Sequence, residues 1–369
     1  MSTKEEIPAL SFILEPALVA SLLTIGCLLN RRSPADIRLS HAVLSPSPTP
    51  SVDGKPSTKE MKSLFWTLRV PDNSRFRMNL GSRVLGMFPF LMEVWYWLLT
   101  YWTYQIARAM QALTMGPKTT ELAEKHSKLI LHAEKFLHIA VERGLQRWVM
   151  KHEILLFFFN KTYAMVHIPA TIAFMAYAYR FFPAPIFQST RRTLVLSNCI
   201  AFIIFSTWPC MPPRLLPKEY GYVDTLHVGK AASSEFIICR FQNQLAAFPS
   251  LHFGYSFVIG VSLFLYTPHR FMRWVALLYP VLILLVIMAT ANHYLLDAVG
   301  GLFVTILAYR VNRLLLNLRP IEEWWFWALR TEKPMDKADF ENVVNREKVG
   351  QLAVPRDMSQ RPLLAGIPE

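Results

Sequence analysis

The stretch Phe248-Pro249-Ser250-Leu251-His252 leads into one apolar run, and Thr290-Ala291-Asn292-His293-Tyr294-Leu295-Leu296-Asp297 leads into a second one further along the chain. Each stretch places a histidine at the edge of a run that can contribute a membrane span. The second adds a carboxylate four residues after its histidine. Ionisable groups are costly near hydrocarbon, so two histidines and an aspartate in such positions predict a functional site.

Composition around these stretches is typical of a helical membrane protein. Of 369 residues, 53% are hydrophobic and 18% are charged, and the mean hydropathy is +0.26. The apolar residues come in runs rather than in alternation. The net charge of +13 comes from Lys and Arg residues that flank the apolar segments. This pattern favours cytosolic loops facing anionic lipid, so we predict no nucleic-acid partner.

The hydropathy pattern predicts an all-α fold, a polytopic transmembrane helical bundle of six spans, or seven if Ala9–Leu29 also crosses the membrane. The predicted spans are Val84–Ile106, Tyr163–Phe182, Thr193–Trp208, His252–Tyr266, Trp274–Thr290 and Leu296–Leu315. The segment Thr119–Trp148 is different, because apolar residues recur at helical spacing with basic residues between them. Such an amphipathic helix lies along a membrane surface or packs over the bundle.

The distribution of apolar, polar and charged residues predicts four consecutive segments of the chain. Residues 1–62 hold the first candidate span and a Ser- and Pro-rich linker, and residues 63–153 hold an aromatic-rich span and the amphipathic basic helix. Residues 154–318 form the catalytic membrane domain. Residues 319–369 are expected to be a cytosolic, mostly disordered tail.

The charges of the short loops predict the orientation. If the helices alternate in direction, three basic pairs fall on one side, which should be cytosolic. These pairs are Arg191 with Arg192, Arg270 with Arg273, and Arg313 with Arg319. The long loop Pro209–Pro249 and both histidines then face the lumen, so we expect an endomembrane protein of the Golgi or endoplasmic reticulum. The same alternation puts the basic helix Thr119–Trp148 on the luminal side, against the charge rule.

The residue types in these stretches suit phosphoryl transfer. His293 and Asp297 share a helix face, so the carboxylate can accept a hydrogen bond from the imidazole and leave the other nitrogen as nucleophile or base. His252 can then serve as general acid. Arg214 lies in a proline-stiffened segment and can bind two phosphate oxygens. Further candidate substrate-binding residues are Ser250, Arg240 and Asn243.

Taken together, these motifs resemble the type 2 phosphatidic acid phosphatase superfamily, and within it the branch of fungal inositol phosphorylceramide synthases and related bacterial membrane proteins. The resemblance covers about Leu155–Leu315. The matching pieces are Asn160–Tyr163 with His167–Pro169, Pro212–Leu215, Gly221–Thr225, Asn243–His252 and Thr290–Gly301. The resemblance implies a phosphohistidine mechanism without metal or cofactor. It makes His293 the nucleophile, Asp297 its orienting partner and His252 the proton donor, with Arg214 and Ser250 holding the phosphate.

Three positions depart from the soluble-phosphatase form of these motifs. Thr207 stands where a lysine is expected, Leu251 where a glycine is expected and Ile287 where an arginine is expected. Fewer cations around a phosphate weigh against hydrolysis of a simple monoester. The departures therefore favour transfer between lipids.

We expect an enzyme that moves an inositolphosphate or another phosphate-containing group from a phospholipid donor to a lipid alcohol such as ceramide. Three alternatives stay open: a lipid or isoprenoid phosphate phosphatase with water as acceptor, a zinc enzyme using the same His/His/Asp set, and a catalytically silent lipid-binding relative. Isolated histidines can also be purely structural. For Asn160, Tyr163 and His167, hydrogen bonding between helices is favoured over substrate contact.

Overall fold

The computed structural model describes residues 11–43, 58–114, 116–226 and 245–349, and these are mostly helical. The helices, in chain order, are α1 Ser11–Leu29, α2 Pro34–Val43, α3 Leu80–Met87, α4 Leu91–Thr114, α5 Pro117–Phe136, α6 Glu142–Val149, α7 Glu153–Met165, α8 His167–Phe181, α9 Ala184–Thr207, α10 Leu251–Tyr266, α11 Arg270–Ala289, α12 Leu295–Val311, α13 Arg319–Ala328 and α14 Lys337–Lys348. The strands are β1 Thr58–Lys62 and β2 Thr67–Pro71. Short 3-10 helices lie at Ser74–Phe76, Pro213–Leu215, Lys218–Tyr220 and Asn312–Leu318.

The chain divides into two compact units. Unit 1 takes Met1–Gly26, Val94–Phe182 and Ile186–Arg313, and unit 2 takes Cys27–Glu93, Pro183–Pro185 and Leu314–Glu369. Both units combine segments that are distant in sequence, which a reading along the chain does not capture. The division into four consecutive segments stays a prediction.

Within the described residues, two helices are long and apolar enough to cross a membrane, Arg270–Ala289 and the continuous helical stretch Leu295–Ala328. A third crossing is possible if α3 and α4 count as one span, although they are bent by 100° at their junction. These apolar helices are compatible with membrane integration. The predicted count of six or seven spans is not confirmed.

Breaks in the helices explain why the count is smaller. The predicted span Tyr163–Phe182 is divided between α7 and α8 at Val166. Pro169 lies in the first turn of α8 and has no N–H to continue the bonding pattern of α7. Likewise, Pro89 lies between α3 and α4, inside the predicted span Val84–Ile106. In addition, α10 has only 16 residues, whereas a bilayer needs roughly 20.

The predicted amphipathic helix Thr119–Trp148 is two helices, α5 and α6. The chain turns at His138, whose φ of 58° is left-handed. The apolar side of α5 places Ala123, Ile130 and Leu131 in a buried cluster with Tyr294. This helix therefore packs over the core of unit 1, which was one of the two arrangements expected for it.

Unit 1 brings the short basic segments to one end of its helix bundle. Arg192 in the third turn of α9 donates a hydrogen bond from Nε to Oδ1 of Asn312 after α12, at 2.9 Å. Thr267 after α10 bonds to the hydroxyl of Tyr177 near the end of α8, and its carbonyl accepts from Arg273 Nε at 2.9 Å. The helices thus alternate in direction, and the residues around Arg214, His252 and His293 lie at the other end.

In unit 2, charged side chains order segments that were expected to be irregular. β1 and β2 form an antiparallel hairpin in which Thr58 pairs with Pro71. Lys59 Nζ lies 3.2 Å from the Glu323 carboxylate, and Arg77 Nε lies 2.8 Å from that of Glu332. Residues 319–349 thus include the helices α13 and α14, where a mostly disordered tail was expected, and ion pairs and buried apolar side chains such as Phe326 and Val343 both hold them. Residues 350–369 lie outside the described residues.

The predicted Ser- and Pro-rich linker is likewise partly regular. It contains α2 and β1, and Arg32 just before α2 donates from Nη2 to the carbonyl oxygen of Met335 at 2.8 Å. The most Pro-rich part, residues 45–50, lies outside the described residues.

Candidate active site

His293 lies in the short turn between α11 and α12, and a main-chain carbonyl orients its imidazole. The Nδ1 atom is 2.7 Å from the carbonyl oxygen of Ala247. A carbonyl oxygen can only accept, so Nδ1 carries the hydrogen and, in the neutral ring, Nε2 carries the free lone pair. The turn is tight, since Ala291 has a left-handed φ of 51°. The fold therefore presents Nε2 of His293 as the atom able to act as nucleophile or base.

Asp297 does not form the hydrogen bond to His293 that the sequence predicts. Its Oδ2 lies 3.6 Å from His293 Nδ1, and the same oxygen accepts the backbone N–H of Tyr294 at 2.8 Å. The carboxylate is fully buried. Asp297 thus caps α12 and lies beside the imidazole, while Ala247 supplies the orienting hydrogen bond.

His252, in the first turn of α10, faces His293 with 5.9 Å between the ring centroids. The ring of Tyr163 stacks on it at 4.6 Å, and the ring of His167 lies 4.8 Å away. Hydrogen bonding between helices was favoured for Tyr163 and His167, and the structure places both rings against His252 of α10. Their spacing of four residues across the α7–α8 break was the signal for this.

Arg214 is fixed to the turn that carries His293. Its backbone N–H donates to the carbonyl of Ala291 at 2.9 Å, and its Nε donates to Oδ1 of Asn292 at 2.9 Å. Nη1 forms an ion pair with Asp224 Oδ2 at 2.8 Å. Asn292 and Asp224 thus hold the guanidinium beside the turn that carries His293. Asp224 also caps its own loop, since its Oδ1 accepts the Leu226 N–H at 3.2 Å.

Ser250 is a structural element of the site. It is the N-cap of α10, and its Oγ lies 3.5 Å from the Phe253 N–H. Its own backbone N–H donates to the Asp297 carbonyl at 2.9 Å, which joins α10 to α12. The serine has no exposed surface. The other two candidate binding residues, Arg240 and Asn243, lie outside the described residues.

Two glutamates, one from α5 and one from α6, hold the start of α12. Glu134 Oε1 accepts the Leu296 N–H at 2.7 Å, and Glu142 Oε1 accepts the Leu295 N–H at 2.9 Å. Both are fully buried. The signal for Glu134 was its position on the apolar stripe of α5, four residues after Ile130.

Among the described residues, no group of three or more His, Cys, Asp and Glu side chains has a geometry that could hold a metal ion. The site presents two imidazoles, a buried arginine and a carboxylate at one end of a helical bundle. Such a set is suited to the transfer of a phosphoryl-type group, which depends on positioning and charge.

Comparison with known proteins agrees with this class of site. Residues 128–311 match the family model of the PAP2 superfamily, which supports the superfamily that the motifs resemble. The protein is an enzyme of the phosphatidic acid phosphatase type, that is, a phosphatase or phosphotransferase. The match begins inside α5, so it includes Glu134 and Glu142, which the sequence resemblance left out. Neither the curated proteins nor the solved structures gave a match to this chain.

Proposed function

We propose that this enzyme transfers a phosphate-containing headgroup from a phospholipid to a lipid alcohol through a covalent intermediate on His293. The observation that carries the proposal is the hydrogen bond from His293 Nδ1 to the Ala247 carbonyl. It leaves the Nε2 lone pair free to attack phosphorus without a prior proton transfer.

The two histidines divide the reaction into two displacements. In the first, Nε2 of His293 forms a bond to phosphorus, the bond to the diacylglycerol oxygen breaks, and His252 gives that oxygen its proton. In the second, His252 takes the proton of the acceptor hydroxyl, whose oxygen bonds to phosphorus as the phosphorus–nitrogen bond breaks. Both histidines then return to their starting states. Asp297 stabilises the positive charge on the His293 ring between the two steps.

The cations near the site support a diester donor over a monoester. Two nitrogens of Arg214 are engaged by Asn292 and Asp224, while Nη2 makes no hydrogen bond within the described residues and can take a phosphate oxygen. Ile287, at a position where an arginine is expected, is fully buried in an apolar cluster. A monoester carries about −1.5 to −2 charges at neutral pH. A diester headgroup carries a single charge, which one partly neutralised arginine can match.

The preferred donor is phosphatidylinositol and the preferred acceptor a ceramide-like alcohol. This choice rests on the resemblance to the inositolphosphate-transferring branch. The proposed site faces the lumen of the Golgi or endoplasmic reticulum, because it lies at the end of unit 1 opposite the basic segments.

The test is turnover of headgroup-labelled phosphatidylinositol by the purified chain in detergent, with and without ceramide. We expect label to appear in a sphingolipid only when ceramide is present. His293→Ala should abolish this product, while His132→Asn, a change at an exposed histidine of α5, should leave it unchanged.

A second measurement examines the intermediate. With a donor that has a good leaving group, His252→Asn should still form labelled enzyme but release it slowly, and His293→Ala should form none. Release of inositol phosphate without an acceptor would assign the enzyme to the phosphatase alternative. Turnover that a chelator abolishes would favour the zinc alternative, and an intact rate in His293→Ala would refute the mechanism.

A further inference from the structure

Two carboxyl groups from neighbouring helices hold the first turn of α12. Glu134 from α5 binds the N–H of Leu296, and Glu142 from α6 binds the N–H of Leu295. The first N–H groups of a helix have no partner inside the helix, so these bonds satisfy donors that would otherwise be buried and unmet. Leu295 and Leu296 directly follow the turn that carries His293, so these two bonds fix the end of that turn.

The other carboxyl oxygens at this point have no donor. Glu134 Oε2, Glu142 Oε2 and Asp297 Oδ1 are buried and make no hydrogen bond within the described residues. Among the residues that the structure describes, neither Glu134 nor Glu142 forms an ion pair with a lysine or arginine. Three ionised carboxyls in such a place would repel one another with little solvent to screen them.

A proton between the two glutamates resolves this conflict. We propose that Glu134 and Glu142 share one proton and act as a carboxyl clamp that positions His293, with one acid neutral and the other ionised. The shared proton gives one Oε2 a hydrogen to donate to the other, while both Oε1 atoms keep their bonds to the α12 backbone. The catalytic part of this inference rests on the proposed function, in which His293 is the nucleophile.

Burial and the neighbouring charges both favour a proton on the glutamate pair. Burial, with further contributions from the charges of Glu142 and Asp297, raises the pKa of Glu134 from 4.5 to about 8. Burial also raises the pKa of Glu142. The titratable groups that interact with the pair are Asp297 and Tyr222, with Arg143 beside Tyr222 and with His293 and Tyr294 beside Asp297.

The contribution of the carboxyl clamp to stability should fall as the pH rises. The folded-state pKa of Glu134 lies above its unfolded value, so its contribution to stability is complete below about pH 4.5 and is lost as the pH rises through about 8. Above that pH the clamp carries two negative charges, and the first turn of α12 should loosen.

Amide hydrogen exchange of the peptide covering residues 290–300 tests the clamp without any substrate. We expect exchange at Leu295 and Leu296, corrected for its intrinsic pH dependence, to become about tenfold to hundredfold faster between pH 7 and pH 9. Glu134→Gln should abolish this increase, because an amide keeps the acceptor oxygen and supplies a permanent donor. Glu121→Gln on the exposed face of α5 is the matched control and should behave as the natural chain.

Turnover of the preferred lipid donor should follow the same pattern. The natural chain and Glu121→Gln should lose rate as the pH rises through about 8, whereas Glu134→Gln should keep it. Glu134→Ala removes both oxygens and should lower kcat by about tenfold to hundredfold, since small displacements of a reacting group have effects of this size.

The outcomes separate the clamp from the reaction. If the pH-dependent exchange is present and Glu134→Gln removes it, while no lipid turnover is found, the clamp stands and the proposed function fails. If the exchange profiles of Glu134→Gln and the natural chain coincide, the shared proton is refuted, whatever the turnover. Because the glutamine variant preserves shape, this comparison remains informative even if Glu134→Ala does not fold.

Discussion

At the scale of single residues, a main-chain carbonyl rather than a dedicated carboxylate orients the imidazole of His293. The Ala247 carbonyl sets its tautomer, and the charge of Asp297 acts from 3.6 Å away. The two tasks that one aspartate was expected to perform are therefore divided between a main-chain atom and a side chain.

This division predicts a moderate effect for Asp297→Asn. The amide can still accept from the Tyr294 N–H, but the charge that stabilises a positively charged imidazole is removed. We expect kcat to fall by about tenfold to hundredfold, with a melting temperature close to that of the natural chain. Where a carboxylate alone sets the tautomer, the same change costs about 10⁴-fold. A loss that large would show that Asp297 orients the ring after all.

Arg214 predicts a binding effect at the same scale. Arg214→Lys keeps a positive charge but cannot hold Asn292 and Asp224 while contacting phosphate, because lysine is a point charge rather than a planar fork. We expect KM for the lipid donor to rise at least about tenfold. Arg310→Lys, at an exposed arginine near the end of α12, is the control. Equal KM values for the two variants would remove Arg214 from the phosphate site.

The sequence pointed to the histidines and Arg214 as candidates, because these side chains combine suitable chemistry with a recognisable spacing, and the structure places them close together. The sequence could not identify the Ala247 carbonyl, since every residue has one and only the tertiary fold decides which one meets His293. Glu134 and Glu142 were missed for a related reason. A glutamate on an amphipathic helix is usually solvated, and its burial depends on the α12 N-terminus that packs above it.

At the scale of elements, two glycines allow α10 and α12 to approach closely. A Cβ added at Gly301 would lie 2.2 Å from the Ser250 carbonyl oxygen. A Cβ at Gly254 would lie 2.9 Å from Cγ2 of Thr305. The contact between these helices sets the position of His252 relative to the turn carrying His293.

Gly301→Ala should therefore separate α10 from α12. We expect a loss of at least about 1–3 kcal/mol in the free energy of unfolding, as for other overpacked sites, together with loss of turnover. Gly144→Ala in α6 is the matched control, because nothing lies within 4 Å of its added Cβ. It should gain about 0.5–1 kcal/mol. Thermal unfolding in detergent measures both, and similar stability of the two variants would contradict the packing argument.

The elements themselves were predicted unevenly. The apolar helices α10, α11 and α12 were close to their predicted bounds, because hydropathy dominates their sequences. The breaks at Pro89 and Val166 were missed, since a hydropathy average extends across a single proline. The helices α13 and α14 were missed because their sequences are rich in charge, and charge in a terminal segment is usually read as disorder.

At the scale of the whole molecule, the alternating directions of the helices in unit 1 predict a two-sided protein. Glu219, near the end that holds the candidate site, and Arg270, at the basic end, are both exposed. Each can be replaced by a single cysteine. In a background with Cys27, Cys199, Cys210 and Cys239 replaced by serine, an impermeant maleimide should label Glu219→Cys only from the lumen. It should label Arg270→Cys only from the cytosol. Labelling of both from one side of sealed vesicles would refute the predicted orientation.

The dependence of His293 on Ala247 has a consequence for how this protein tolerates change. Two backbone bonds hold the segment around Ala247 to Cys210: Cys210 N–H to the Leu245 carbonyl, and Ala247 N–H to the Cys210 carbonyl. A mutational scan alters side chains and leaves the orienting oxygen in place, so small residues at 247 should score as tolerated. Deleting one residue between Leu245 and Phe248 should instead move that oxygen by about 3.3 Å and inactivate the enzyme. We therefore expect function to be sensitive to the length of this segment rather than to the identity of residue 247.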